Sequence, residues 1–185
     1  MMQKSAPIIQ IRDQQDILGF SFDDLVKYHG RFNIGGVAMA FRVLVEGFSR
    51  LSPTAAPERS QIAFKSGLGE KGTGVIDAVE LVTRAKTRGK LTLEQSWLDG
   101  KPGPATPDGR GKYYFELSID DNQLGFELQS GLIPTEFIEL INKLHAQTIT
   151  EPEQQRLRQI KEYLASTILA APFTDLFKIH TPLNN

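Results

Sequence analysis

The sequence predicts an α+β domain, and three observations carry that expectation. Helix-periodic segments gather towards the two ends of the chain. Strand-like alternation gathers in its middle. No regular β–α–β repeat runs through it, which argues against a doubly wound sheet. A length of 185 residues suits one domain, or one domain with an appendage.

Each element has a local reason. Residues 21–29 read as a short helix, with Ser21 as N-cap, Asp23 and Asp24 in the first turn and Gly30 as the stop. A longer helix spans about 36–51, where Val37, Phe41, Leu44, Phe48 and Leu51 recur on one face. "SPTAAPERS" is a loop by its two prolines and lack of period. "QIAFKSGL" reads as a strand, "GEKGTG" as a turn, and "VIDAVELVTRA" as a helix with Val75, Val79 and Val82 inward. "KLTLEQSWL" alternates as a strand. Residues 99–112, dense in Gly and Pro, read as an exposed, mobile excursion or one held by a partner chain. "KYYFELSI" and "QLGFELQS" form a hairpin, with Tyr113, Phe115, Leu117 and Ile119 facing Leu124, Phe126 and Leu128. Pro134 opens a helix whose stripe is Phe137, Ile138, Ile141 and Leu144. Thr150 and Glu153 form a capping box for a last long helix, with Leu157, Ile160, Leu164 and Ile168 inward. Pro172 ends it, and "FTDLFKI" is a final apolar turn docked on the body.

Composition excludes several function classes. The net charge of −1 offers no basic field for nucleic acid. With no cysteine, disulfides, thiolate metal sites, iron–sulfur clusters and cysteine nucleophiles are ruled out. No stretch approaches the ~18 apolar residues of a membrane span, and the N-terminus lacks a signal-peptide core. The expectation is a cytoplasmic protein without nucleic-acid or membrane partners.

Three places could carry chemistry. "GLGEKG", residues 67–72, matches G-x-G-x-x-G between a strand and a helix, with Glu94 where a ribose-binding acid would stand. Without repeated β–α–β units the motif reads first as a flexible turn, then as a simple anion site. The three histidines, His29, His145 and His180, show no metal-ligand spacing. His29 and His145 each sit in a last helical turn, where the helix dipole favours them. Asp77 sits in a first turn, where a carboxylate is favoured for the same reason.

"DDLVKYHGRFNIGGVAMAFR" resembles the opening motif of the FmdE-like family, proteins related to an accessory component of formylmethanofuran dehydrogenase. In that motif His-Gly-His, an apolar residue and Cys-Pro-Gly precede a helix of small and apolar residues. "VIDAVELVTRAKTRGKL" is similar to the second motif of that family, and "APFTDLFKI" to its close. The resemblance covers about residues 20–180 and leaves 1–19 as an N-terminal extension. It implies a mixed sheet with flanking helices, shared with the catalytic domain of glyceraldehyde-3-phosphate dehydrogenase, with the helices of 134–180 packed on it. It does not imply the dehydrogenase reaction, because the FmdE component is accessory.

The departures from the motif matter most. His29, Gly30 and Gly35 keep their places, as do Asp77 and Ala78. Arg31 stands for the second histidine, Asn33 for the cysteine and Ile34 for the proline. Gly74 and Ala85 stand where many members have cysteines, and no zinc-binding tail follows. His29 and Asp77 alone remain as metal ligands, too few for a closed zinc site. The expectation is a degenerate metal site that holds no tight metal and only a weak divalent ion, if any. His29, Arg31, Asn33, Gly35 and Asp77 are expected to converge on one cleft for a small anionic or polar ligand. The chain then reads as an accessory or small-ligand-binding protein and as a homo-oligomer, in the simplest case a homodimer. One alternative is an enzyme with His29 as general base; another is a weak metal-binding module.

Overall fold

A computed structural model describes residues 7–181; residues 1–6 of the expected extension lie outside them. The architecture is α+β, as the segregated pattern predicts. Strands β1 (Ile9–Asp13) and β2 (Asp16–Phe20) pair as an antiparallel hairpin. Helices α1 (Phe22–His29) and α2 (Ile34–Leu51) follow. Next come β3 (Ile62–Ser66), α3 (Thr73–Thr83) and a two-residue β4 (Leu91–Thr92). The hairpin β5 (Tyr114–Ile119) and β6 (Asn122–Leu128) leads into α4 (Thr135–His145) and α5 (Glu151–Ala170). A single turn, α6 (Phe173–Leu176), ends in β7 (Phe177–His180).

The larger sheet has the order β4-β3-β5-β6-β7. Only β3 and β4 run parallel, joined by α3 as the one β–α–β unit among the described residues. In the central hairpin Phe115 faces Phe126 and Leu117 faces Leu124, as the alternation requires. The apolar faces of α2 and α3 join this sheet in one core, which takes in Phe41, Leu44, Val75 and Val79 with the sheet's Phe and Leu side chains. The expected capping box of Thr150 with Glu153 forms, and Ser21, expected as an N-cap, makes a second box with Asp24. Gly30, at φ +83°, ends α1 in a conformation that a side chain disfavours.

Four segments differ from the sequence reading. Residues 9–20 are not an appendage, because Ile9 and Ile11 are buried in the main core. Arg59 pins this hairpin down, donating to Asp13 and to the carbonyls of Leu81 and Val82 at the end of α3. The segment 90–98 keeps only two strand residues, then coils as a 3-10 turn over Gln95–Leu98. The excursion 99–112 is knitted down: Tyr113 N–H donates to Pro104, Lys112 N–H to Gly67 and Thr106 N–H to Gly111. The C-terminal apolar turn continues into an edge strand, where β7 pairs with β6 and Phe173 stacks on Phe177.

A second, smaller apolar cluster stands apart from this core. Leu140 of α4 packs there with Leu157, Ile160 and Leu164 of α5. Phe137, Ile141 and Leu144 of α4 reach it only half-buried.

Candidate functional site

The opening turn between α1 and α2 does two separate jobs. His29 Nδ1 lies 2.7 Å from Asp77 Oδ2, across the gap between α1 and α3. The imidazole is 6 % exposed, and its Nε2 is buried with no hydrogen-bond partner among the described residues. The tautomer with its proton on Nδ1 donates to Asp77 and leaves Nε2 a bare acceptor. This pair is a clasp between two helices. Among the described residues no group of three or more His, Asp or Glu side chains could hold a metal ion.

Arg31 does not join them. It is exposed and makes a two-pronged pair with Glu162 of α5, at 2.9 and 2.6 Å. The expected single cleft is therefore divided: His29 and Asp77 meet in the clasp, Arg31 ties the turn to α5, and Asn33 and Gly35 face a cavity. Charge explains the division, since the Glu162 carboxylate beside Arg31 satisfies the guanidinium before any ligand does.

That cavity holds about 520 Å³, within the ~300–1,000 Å³ of ordinary small-ligand sites. It opens where the starts of α2 and α3 meet. Their approach is backbone on backbone: a Cβ on Gly74 would stand 2.4 Å from the Asn33 carbonyl oxygen. A Cβ on Gly36 would meet the Val75 nitrogen at 3.3 Å. Gly35 and Gly74, in the first turns of their helices, both line the cavity, and first-turn amides have no partner within a helix. Two positive helix ends thus face one space.

The walls are mainly apolar. Met39, Leu68, Tyr113, Phe137, Ile141 and Leu164 supply them, so the incompletely buried face of α4 closes one side. The segment 99–112 supplies Thr106, Pro107 and Asp108. Asp108 pairs with Lys71 at 2.9 Å, and that bond, aided by Thr106, holds its carboxyl far below the usual range. Burial pushes the Tyr113 hydroxyl up to about 12, so it remains a protonated donor. The glycine loop 67–72 reaches the same space through Leu68, Lys71 and Gly72.

Lys161 of α5 is the decisive group. It lines the cavity, yet the residue is only 5 % exposed. Its Nζ donates to Asn33 Oδ1 at 3.2 Å and lies 4.0 Å from the Phe32 ring centroid. No carboxylate pairs with it among the described residues, and burial lowers its pKa to about 8. Asn33 is held in turn, its Nδ2 donating to Thr73 Oγ1 at 2.7 Å. The Thr73 oxygen accepts there, so its own hydrogen is free to donate.

Lys161 belongs to no motif. One signal in the sequence does mark it: the position lies four residues after Leu157 and three before Leu164, on the apolar stripe of α5. A lysine there must be buried or reach a cavity. His145, read from sequence only as a helix-end residue, stands at the cavity rim, and His180 pairs with Glu127 at 2.9 Å far down the sheet. Compared with known proteins, the chain matches no family model and no curated protein.

Proposed function

We propose that the chain is a small-molecule-binding protein whose cavity holds an amphipathic carboxylate. The observation that carries this reading is the buried Lys161 ammonium facing an apolar space without an acidic partner among the described residues. An unpaired buried charge is unfavourable, and an entering carboxylate relieves it. The first-turn amides of α2 and α3 and the Thr73 hydroxyl add donors for the same head group. The apolar walls suit a hydrocarbon or aromatic body.

A cation is disfavoured at this place, since Lys161 repels it. The resemblance to the FmdE-like family supports an accessory role, with a former metal site now degraded at His29 and Asp77. The purified protein is then expected to carry no stoichiometric zinc. One tight zinc per chain, lost in His29→Ala, would show that the metal site survives. A general-base role for His29 has little support, because its free Nε2 is buried and the residue does not line the cavity.

Titration calorimetry with decanoate tests the reading. Saturable binding at one site is expected, weakened at least tenfold by Lys161→Met. The free ammonium loses its proton near pH 8, so binding above that pH requires proton uptake. Affinity should be level below about pH 8 and fall roughly tenfold per unit above it. The Lys71–Asp108 pair and His145 share the cavity, and a Lys161→Met titration separates their share of the pH profile. No binding, or equal binding by Lys161→Met, would overturn the proposal.

A further inference from the structure

The arrangement around Lys161 supports more than ion pairing, provided that the cavity is the binding site. We propose that Lys161 captures the carbonyl group of a 2-oxo acid with an apolar side chain, forming an imine inside the cavity.

The geometry separates the tasks. A 2-oxo acid has a carboxylate, an adjacent ketone and a side chain. The carboxylate can take the first-turn amides at Gly35 and Gly74, both of which line the cavity. The side chain can lie among Met39, Phe137 and Ile141. The adjacent ketone can then turn towards Lys161 Nζ, which Asn33 links to Thr73 at the start of α3. A single hydrogen bond to Asn33 Oδ1 orients that nitrogen, and the Phe32 ring covers it. The Thr73 hydroxyl, its oxygen already engaged by Asn33, can donate to the oxygen that becomes negative as the carbonyl is attacked.

The step balances without any further reactant. The neutral amine's lone pair attacks the ketone carbon, and the carbonyl π electrons move to oxygen. One Nζ hydrogen passes to that oxygen, giving a carbinolamine. The second leaves with the hydroxyl as water, and a C=N bond remains. No oxidation or reduction occurs. The neutral amine must be accessible near pH 7, and desolvation favours it: in the empty cavity a pKa of about 8 leaves roughly a tenth of Lys161 uncharged as the acid enters. An exposed lysine is neutral about one time in several thousand.

The test uses the intact protein, phenylpyruvate and cyanoborohydride, which reduces an imine to a stable secondary amine. Intact mass and peptide mapping then read the product. One saturable adduct per chain is expected, located at Lys161, at least tenfold faster than at any other lysine. Lys161→Arg, which keeps the charge and lacks a primary amine, should lose the adduct and still bind decanoate. Wild-type mapping decides the case even if that variant misfolds. Decanoate binding without a Lys161 adduct sinks the imine and leaves carboxylate binding intact. If decanoate does not bind either, the binding reading itself fails. Labelling spread evenly over surface lysines also overturns the inference.

Discussion

The two apolar clusters obey the same packing rules and reach different ends. The main core is closed, with α2 and α3 laid on a five-stranded sheet and its aromatic side chains almost fully removed from water. The α4–α5 arm is open. Four side chains are buried in it, while Phe137, Ile141 and Leu144 remain half-covered. The first arrangement spends its apolar surface on stability. The second leaves part of it facing the cavity, with a buried lysine beside it. An amphipathic helix with one neighbour too few has surface left for a ligand, and α4 is that helix.

Mutations can break or sharpen this contrast. The largest effect should come from Phe41→Ala in the closed core. Phe41 packs edge-on against Phe22 and is almost wholly buried, so truncation should cost about 3–5 kcal/mol in chemical denaturation. A change within ~0.5 kcal/mol, the range of surface substitutions, would place the main core elsewhere. The next effect should have the opposite sign. Lys161→Met removes a buried, unpaired ammonium from an apolar stripe and should stabilise the free protein by about 1–3 kcal/mol. The sign follows from linkage. The folded pKa of about 8 lies below the ordinary lysine value, so the unfolded chain binds more protons between about pH 8 and 10.5. The wild-type protein should therefore gain stability as pH rises through that window, and Lys161→Met should lose this slope. Destabilisation by Lys161→Met would mean that the lysine is satisfied without a ligand.

A smaller effect is expected on the arm. Phe137→Ala removes a half-buried ring from the open wall and should cost about 1 kcal/mol, well below the Phe41 value. The same variant should weaken decanoate binding severalfold. A stability loss equal to that of Phe41→Ala would erase the distinction between the two clusters. The smallest effect belongs to the exposed two-pronged pair of Glu136 with Arg156, which ties α4 to α5. Glu136→Gln should leave the thermal unfolding midpoint almost unchanged, because solvent screens an exposed pair.

The contrast also explains what was legible in the sequence. The helices and the central hairpin announce themselves through period and caps, because those signals are local. Ile9 and Ile11 do not, since two buried residues separated by one polar residue are too short a pattern to distinguish a strand from a tail. The loop 99–112 reads as unstructured because its order comes from backbone hydrogen bonds to distant partners such as Gly67, which composition does not encode. Within the site, motif placement joins His29 to Asp77, 48 residues apart. It fails for Arg31, whose partner Glu162 lies in another helix 131 residues away. It misses Lys161 altogether, because motifs are recurring chemical signatures and this lysine is conspicuous only by its place on an apolar stripe.

The contact between Gly74 and the Asn33 carbonyl fixes a dimension of the site. A side chain of any size at position 74 must push the starts of α2 and α3 apart, because its Cβ would fall 2.4 Å from that oxygen. A hydrogen atom at this position is the thinnest spacer a chain can place there, and it sets how closely the two helix starts approach and how wide the mouth of the cavity between them can be.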